Sequence, residues 1–464
     1  MMRVGPLRQV VAYLVVVGIP AAVLLAVLAP TGSGNPVHLS GHDGAHRHIL
    51  ALAAIVVVTH LGGCAAVRLR QPEVVGQLTA GIALGPVALG ALAPGPHAWL
   101  FGPGTEAAIA ALAQVGMVLF LFLVGAELSR AGLRGTGRAG LVVGHAALAV
   151  PLAAGAALAP LLPTAFRPAG VDPLSFGLFC GIAMGITAVP VLARVLQERG
   201  LLRTPLGVLG TSAAAVCDAT AWCLLAVALG GADFLGVVGP AVVGAVVLRA
   251  VVRPALSRLA GRGEHARAPL AVALLAVAFL SAWAAHALGL HAAIGALAAG
   301  LAAPPVRVVA EILGGLEWLV RTLLLPVFFA SVGLAMSPAA AGAPLLWLVL
   351  AGAVALAVIT KVGATVTVGA LLRLPRRDSF ALAAMMNCRG LTELVVLEIG
   401  RSAGLLTDAL FIALVGMALV TTALTGPLLS AAWTGGAADL PDRVPPKARP
   451  PEVRPTQGDR GLSQ

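Results

Sequence analysis

The chain has 464 residues, of which 59% are hydrophobic and 11% charged, a composition that excludes a water-soluble globule and leaves a polytopic membrane protein. Its formal net charge is +11, but the basic residues fall mostly in short loops between apolar runs, so they read as topology signals and exclude nucleic acid as a partner. The 5 cysteines stand singly in apolar segments, without metal-ligand spacing or a disulfide framework.

Arg3 and Arg8 precede a first apolar run over about residues 10–28. The run exceeds the ~7–15 residues of a signal-peptide core, and Ala29 followed by Pro30 is a poor cleavage context, so it reads as a retained helix. The stretch up to residue 48 is expected to be a solvated external loop. It holds His38, His42, His46 and His48 beside Asp43, but no cysteine or tight carboxylate set completes a metal site. Residues 1–48 thus form an added N-terminal helix and its loop.

Further apolar runs follow at about 49–67, 74–92, 107–128, 139–162, 174–197, 206–231, 236–252, 268–288, 290–304, 319–336, 343–371, 379–399 and 406–430, giving about fourteen candidate membrane helices. Threading them with the N-terminus inside leaves Arg68, Arg70, Arg130, Arg134, Arg138, Arg199, Arg203, Arg253, Arg258, Arg262, Arg267, Arg307, Arg373, Arg376 and Arg377 on the cytoplasmic side. Only Arg47, Arg167 and Arg401 remain outside, the bias that the positive-inside rule expects. Both termini are then cytoplasmic, and the plasma membrane is the expected location. Residues 49–434 form the transmembrane domain, and 435–464, rich in Pro, Arg, Asp and Gly, read as a disordered cytoplasmic tail.

Within the run from Leu206 to Gly231 stands a single carboxylate, Asp218. A charged group at the centre of a membrane helix costs about 2.5–3.5 kcal/mol, so it faces a polar partner or cavity and marks an ion pathway. The chain also repeats itself. FLFLVGAELS (120–129) resembles PVFFASVGLAMS (326–337), and each is followed by a long apolar span, an interrupted span, a Gly-Leu-Leu turn and another full span. Pro190 removes a backbone donor and should unwind the first interrupted span near Thr187, Ala188 and Val189. Asn387, Cys388, Arg389 and Gly390 interrupt the second. By the threading above, the repeats are inverted. Inverted repeats with interrupted helices are the pattern of secondary transporters, with the substrate site where the breaks cross.

QPEVVGQLTAGIALGP (71–86), GITAVPVLARVLQERGLLRTPLG (185–207), AVCDATAW (215–222), LPVFFASVGL (325–334), Lys361 and MNCRGLTELVVLEIG (386–400) together resemble the second cation:proton antiporter family of the sodium/hydrogen exchanger superfamily. The resemblance covers about residues 49–430. It implies an all-α inverted-repeat antiporter fold with two broken, crossing helices, a thirteen-helix core and a homodimer. It also implies exchange of sodium or potassium for protons, with no cofactor and no resident metal. On this resemblance Asp218 is the ion-binding aspartate, Thr187 a polar residue of the first crossing, Lys361 the basic residue on the span before the second break, and Arg389 with Glu393 the charged motif on that second helix. Cys217 stands where electrogenic members carry another aspartate, and Gln77 where the first motif usually has glutamate.

A buried thiol is neutral and cannot supply that second negative charge, so exchange of one proton for one cation is expected. Lys361 then needs another neutraliser, either Glu393 or the negative end of a half-helix. A cation and a proton would exclude one another on Asp218, and the transport half would carry either across. The competing classes are a sodium-coupled symporter of an organic anion and a potassium-efflux channel-like system. No zinc motif or nucleophile–histidine spacing suggests an enzyme.

Other residues carry weaker signals. Glu127 and Arg130 are spaced for an interfacial ion pair. Arg194 and Glu198 are divided between structure and gating, and Arg389 with Glu393 between a cancelled charge pair and a part of the site. Glu398 is expected to be solvated. His60, His145, His286 and His291 lie in apolar runs, and Met385 with Met386 is read as packing.

Overall fold

The computed structural model describes residues 43–69, 71–131, 137–202, 204–230, 234–288 and 290–432. The expected helix over 10–28, His38, His42 and the tail from 435 lie outside them. Every regular element among the described residues is helical. We number the principal helices α1 (Asp43–Arg68), α2 (Glu73–Ala83), α3 (Pro103–Ala131), α4 (Arg138–Leu158), α5 (Pro173–Gly185), α6 (Val189–Glu198), α7 (Pro205–Gly230), α8 (Phe234–Val247), α9 (Arg267–Ala287), α10 (Ala292–Ala302), α11 (Arg307–Leu319), α12 (Leu325–Leu334), α13 (Leu346–Leu371), α14 (Arg376–Met386), α15 (Leu391–Ser402) and α16 (Asp408–Ala432).

Among the described residues 9 helical stretches are long and apolar enough to cross a membrane, or up to 10 if the bent pair α14–α15 is one span. The protein is a multi-pass membrane protein. Two expectations shift at their edges. His46 and His48 sit in α1, not in a loop, because the helix begins at Asp43. The run expected from 319 starts at Arg307, since a π turn at Val320–Leu324 joins α11 to α12.

The repeat is longer than the two matching segments. Helices α1 and α2 correspond to α9 and α10, α3 to α11–α12, α4 to α13, α5–α6 to α14–α15, and α7 to α16, with α8 interposed. Glycines mark the same crossings in both units. A Cβ on Gly76 would stand 2.0 Å from the Gly62 carbonyl of α1, and one on Gly295 2.0 Å from the Ser281 carbonyl of α9. Five residues on, a Cβ on Gly81 of α2 would stand 2.6 Å from the Phe329 backbone of α12, and one on Gly300 of α10 would stand 2.1 Å from the Phe122 carbonyl of α3. Each unit therefore lends its second helix to the other's third, and backbone approaches this close admit only hydrogen as a side chain. A Cβ on Gly116 of α3 would lie 2.9 Å from Leu324, at the start of α12. Gln114 and Met117 of α3 share a cavity wall with Leu334 and Ala335 at the end of α12, while Glu127 of α3 shares another with Glu317 of α11. Equivalent helices of the two units thus run antiparallel, as an inverted repeat requires.

Packing divides the helices into two sub-bundles. In one, α4 lies on α5, α7 and α13, and α13 lies on α14 and α16. In the other, α3 lies on α10 and α12, and the pairs α1–α2 and α9–α10 surround it. The α2–α16 contact is among the few that join them.

Candidate ion-binding site at the helix crossing

Both expected breaks are present. Helix α5 ends at Gly185 and α6 begins at Val189, with Pro190 at its first turn, where a missing N–H costs nothing. Helix α14 ends at Met386 and α15 begins at Leu391, with a bend of 41° between them. Gly390 has φ 148°, a left-handed conformation, and a Cβ there would meet Val191 Cγ2 at 2.8 Å, so this break needs a glycine. The two unwound segments touch: the Ala188 amide donates to the Cys388 carbonyl at 3.0 Å, and Thr187 Oγ1 donates to the Met386 carbonyl at 2.9 Å.

A helix that stops inside a membrane leaves its last carbonyls without partners, which apolar surroundings make expensive. At the end of α5 two cations from the other unit take them. Lys361 Nζ, from α13, donates to the Gly185 and Ile186 carbonyls, each at 2.6 Å. Arg389, in the second break, donates Nη1 to Ala183 and Nη2 to Met184. Four consecutive carbonyls are capped, and the partial negative charge of a helix C-terminus lies against two positive groups. Arg389 Nη1 also donates to Glu393 Oε1 at 2.8 Å, one turn along α15. Lys361, Arg389, Glu393 and Asp218 are all fully buried.

Asp218 lies on α7 beside this crossing. Its neighbour Cys217 donates its thiol to the Gly185 carbonyl at 3.4 Å and stands 3.6 Å from Thr187 Oγ1. Neither carboxylate oxygen of Asp218 has a hydrogen-bond partner; the Val189 amide, at the start of α6, is directed at it without reaching hydrogen-bond geometry. The other buried oxygens without a partner in this region are Asn387 Oδ1, Thr392 Oγ1 and Glu393 Oε2. All are hard oxygen donors, the ligand type that suits an alkali cation.

Of the residues expected at the site, Thr187, Cys217, Asp218, Lys361, Asn387, Arg389, Glu393, Pro190 and Gly390 all lie at the crossing or on the helices beside it. Asn387 Nδ2 donates to the Thr421 carbonyl at 3.4 Å, and the Arg389 amide donates to Thr422 Oγ1 at 3.2 Å. Sequence reasoning passed over Thr392, Thr421 and Thr422. Their signal was a hydroxyl pair on the helix equivalent to that of Asp218, and a hydroxyl beside Glu393.

Two cavities lie toward opposite ends of α3 and of α11–α12. One, of about 460 Å³, is lined by Phe120, Leu123, Val124, Glu127, Arg130, Pro190, Glu317, Val320 and Arg321. It reaches Pro190, next to the residue whose amide faces Asp218. The Glu127–Arg130 pair does not form, although both line this cavity; Arg321 pairs with Glu317 at 2.7 Å. At the same end Arg194 of α6 pairs with Glu73 of α2, across the two sub-bundles. The other cavity, of about 330 Å³, is bordered by Gln114, His291, Ser331 and Glu398 among others. Glu398 is paired with Arg401 at 2.8 Å.

The match to known proteins decides the family. Residues 52–435 match the family model described as "Sodium/hydrogen exchanger, transmembrane". The chain belongs to the sodium/hydrogen exchanger family. The resemblance read from the motifs is borne out. Among relatives of this exchanger chain, the Na(+)/H(+) antiporter NhaS4 of Synechocystis is 33% identical over 396 residues, covering 82% of this chain and 96% of the relative. Cation/H(+) antiporter 19 of Arabidopsis thaliana is 36% identical over 395 residues, covering 82% of this chain and 49% of the plant protein, so this exchanger spans about half the length of that relative. The structure of the sodium proton antiporter MjNhaP1 from Methanocaldococcus jannaschii shares the fold, with TM-score 0.52 and 16% identity over 84% of this chain and 98% of that one.

Proposed function

We propose that this exchanger is a secondary antiporter that exchanges a monovalent cation, sodium or potassium, for protons. The observation that carries the reading is Asp218: a fully buried carboxylate, both oxygens without a partner, beside two crossed helix breaks. Such a group in low dielectric is stable only when something positive occupies it. A proton and a desolvated cation are alternatives there, because each neutralises the same charge. An empty, ionised site moves poorly, and that penalty couples the two flows.

Charge counting supports an electroneutral cycle. Arg389 is paired with Glu393, and Lys361 and Arg389 are both held by carbonyls at the end of α5, so the charge left for a passenger to neutralise is that of Asp218. Loading Asp218 with a proton or with a monovalent cation gives the same net charge, and Cys217 adds no second carboxylate. One proton therefore exchanges for one cation. Transport proceeds by movement of the α4–α7 and α13–α16 sub-bundle against the other, opening the site to the two cavities in turn. The protein is assigned to the plasma membrane as a homodimer with both termini cytoplasmic, on the arginine distribution and the family resemblance.

The test is proton flux in everted vesicles with a pH-sensitive dye, adding sodium, potassium or lithium to the wild type and to Asp218→Asn. Cation-induced collapse of the pH gradient in the wild type alone is the expected result, and the active cations name the substrate. Equal responses in both proteins would overturn the role of Asp218.

A further inference from the structure

A third cavity, of about 350 Å³, lies away from the ion site, between α13, α14 and α16. Its walls are Val362 of α13, Arg377, Phe380, Ala383 and Ala384 of α14, and Leu428, Ala431 and Ala432 of α16. From Arg377 to Ala384 it extends about 10 Å along α14, at ~1.5 Å per residue. Apart from Arg377 the lining is apolar, and Phe380 is 52% exposed. Arg373 and Arg376 are near Arg377 in the chain, at the end of α13 and the start of α14, and all three are exposed. Among the described residues none of the three enters an ion pair, and Asp378 is the one carboxylate in this stretch of chain.

A slot lined by apolar side chains and one unpaired guanidinium, with two more arginines close by in the chain, has the polarity of a phospholipid with a negative headgroup. We propose that this groove binds one anionic phospholipid, with an acyl chain along Phe380, Val362 and Leu428 and the phosphate on Arg377, flanked by Arg373 and Arg376. Charge complementarity selects this occupant over a neutral lipid, since guanidinium groups pair with phosphate oxygens in a forked geometry. The position agrees: the three arginines lie at the ends of membrane helices, on the face that the arginine distribution assigns to the cytoplasm, where anionic lipid is attracted to basic residues. Through α14 the groove adjoins the second break, so an occupant there touches the sub-bundle proposed to move.

The experiment is lipid retention by the purified full chain, read by native mass spectrometry after exchange into mixed micelles of phosphatidylglycerol and phosphatidylcholine. The expected result is preferential retention of one phosphatidylglycerol. Arg377→Gln should lower the preference about fivefold, the equivalent of ~1 kcal/mol for one arginine near a lipid surface, and Arg376→Gln/Arg377→Gln further. Because these positions are exposed, the variants should keep the wild-type melting temperature in phosphatidylcholine. Ala431→Phe, which narrows the slot, should reduce retention with the arginines intact. Equal retention of the two lipids, or an unchanged preference in the double variant, would overturn the proposal. So would displacement of the lipid by free glycerol phosphate, which would mean a headgroup site alone, or a gain in retention on deleting 435–464, which would make that segment the occupant.

Discussion

Lys361 Nζ lies 2.6 Å from the carbonyl oxygen of Gly185, and it makes no ion pair with Asp218 among the described residues. The lysine of the second unit is therefore a cap for the broken helix of the first. That contact, with the matching one to Ile186, settles where a fully buried ammonium finds its compensation. It also leaves Asp218 with both oxygens available.

Lys361→Met should remove two charge-assisted hydrogen bonds and uncap α5. At about 1.5–3 kcal/mol for each bond to a charged group, the loss of stability should be at least about 3 kcal/mol. Thermal unfolding in detergent measures it. An unchanged melting temperature would contradict the capping role, whatever happens to transport.

Arg389→Met leaves Glu393 charged, buried and unpaired, together with the Ala183 and Met184 carbonyls. Breaking a buried pair from one side costs about 3–5 kcal/mol. The double variant Arg389→Met/Glu393→Leu should recover part of that loss, because it no longer buries a lone charge. A double-mutant cycle on melting temperature reads the coupling, and strict additivity is the contrary outcome.

Gly390→Ala combines a left-handed backbone with a Cβ 2.8 Å from Val191 Cγ2. The backbone strain alone costs about 1–3 kcal/mol. Adding Val191→Ala should relieve the side-chain clash and return part of the stability, and full recovery would mean that the backbone conformation carries no strain.

Cys217→Asp would introduce a second carboxylate beside the Gly185 carbonyl and the Thr187 hydroxyl. If the one-for-one cycle rests on a single titrating acid, this variant should either become sensitive to membrane voltage or lose exchange through carboxylate repulsion. Reversal potentials in proteoliposomes distinguish these. Voltage-driven transport already present in the wild type would remove the electroneutral reading.

Glu73→Gln should weaken the ion pair between α2 and α6, which bridges the two sub-bundles. The expected consequence is a shift in apparent cation affinity with the protein's stability nearly unchanged, since partly exposed ion pairs contribute only about 0–1 kcal/mol. Dye-quench titrations with sodium and potassium measure the shift, and identical curves would mean that the pair does not govern opening.

Much of this architecture is determined by the sequence itself, because its signals are local. An apolar run of about 20 residues has one low-energy home in a bilayer, so α3, α4, α7, α9, α13 and α16 could each be read as a span on its own. Pro190 and the Asn-Cys-Arg-Gly run break helices for reasons within their own few residues, and Asp218 announces itself because a lone acid in an apolar helix needs a purpose. Partners are another matter. That Lys361 and Arg389 cap α5, that Glu127 faces a cavity rather than pairing with Arg130, and that Arg194 reaches Glu73 on α2 depend on which helices lie side by side. Those neighbours are separated by up to 206 residues in the chain, as for Arg389 and Ala183. The six-helix extent of the repeat was hidden for a similar reason. Its marks are single glycines, such as Gly76 and Gly295, which in one dimension look like ordinary small residues, and only the crossing of two backbones shows why no side chain can stand there.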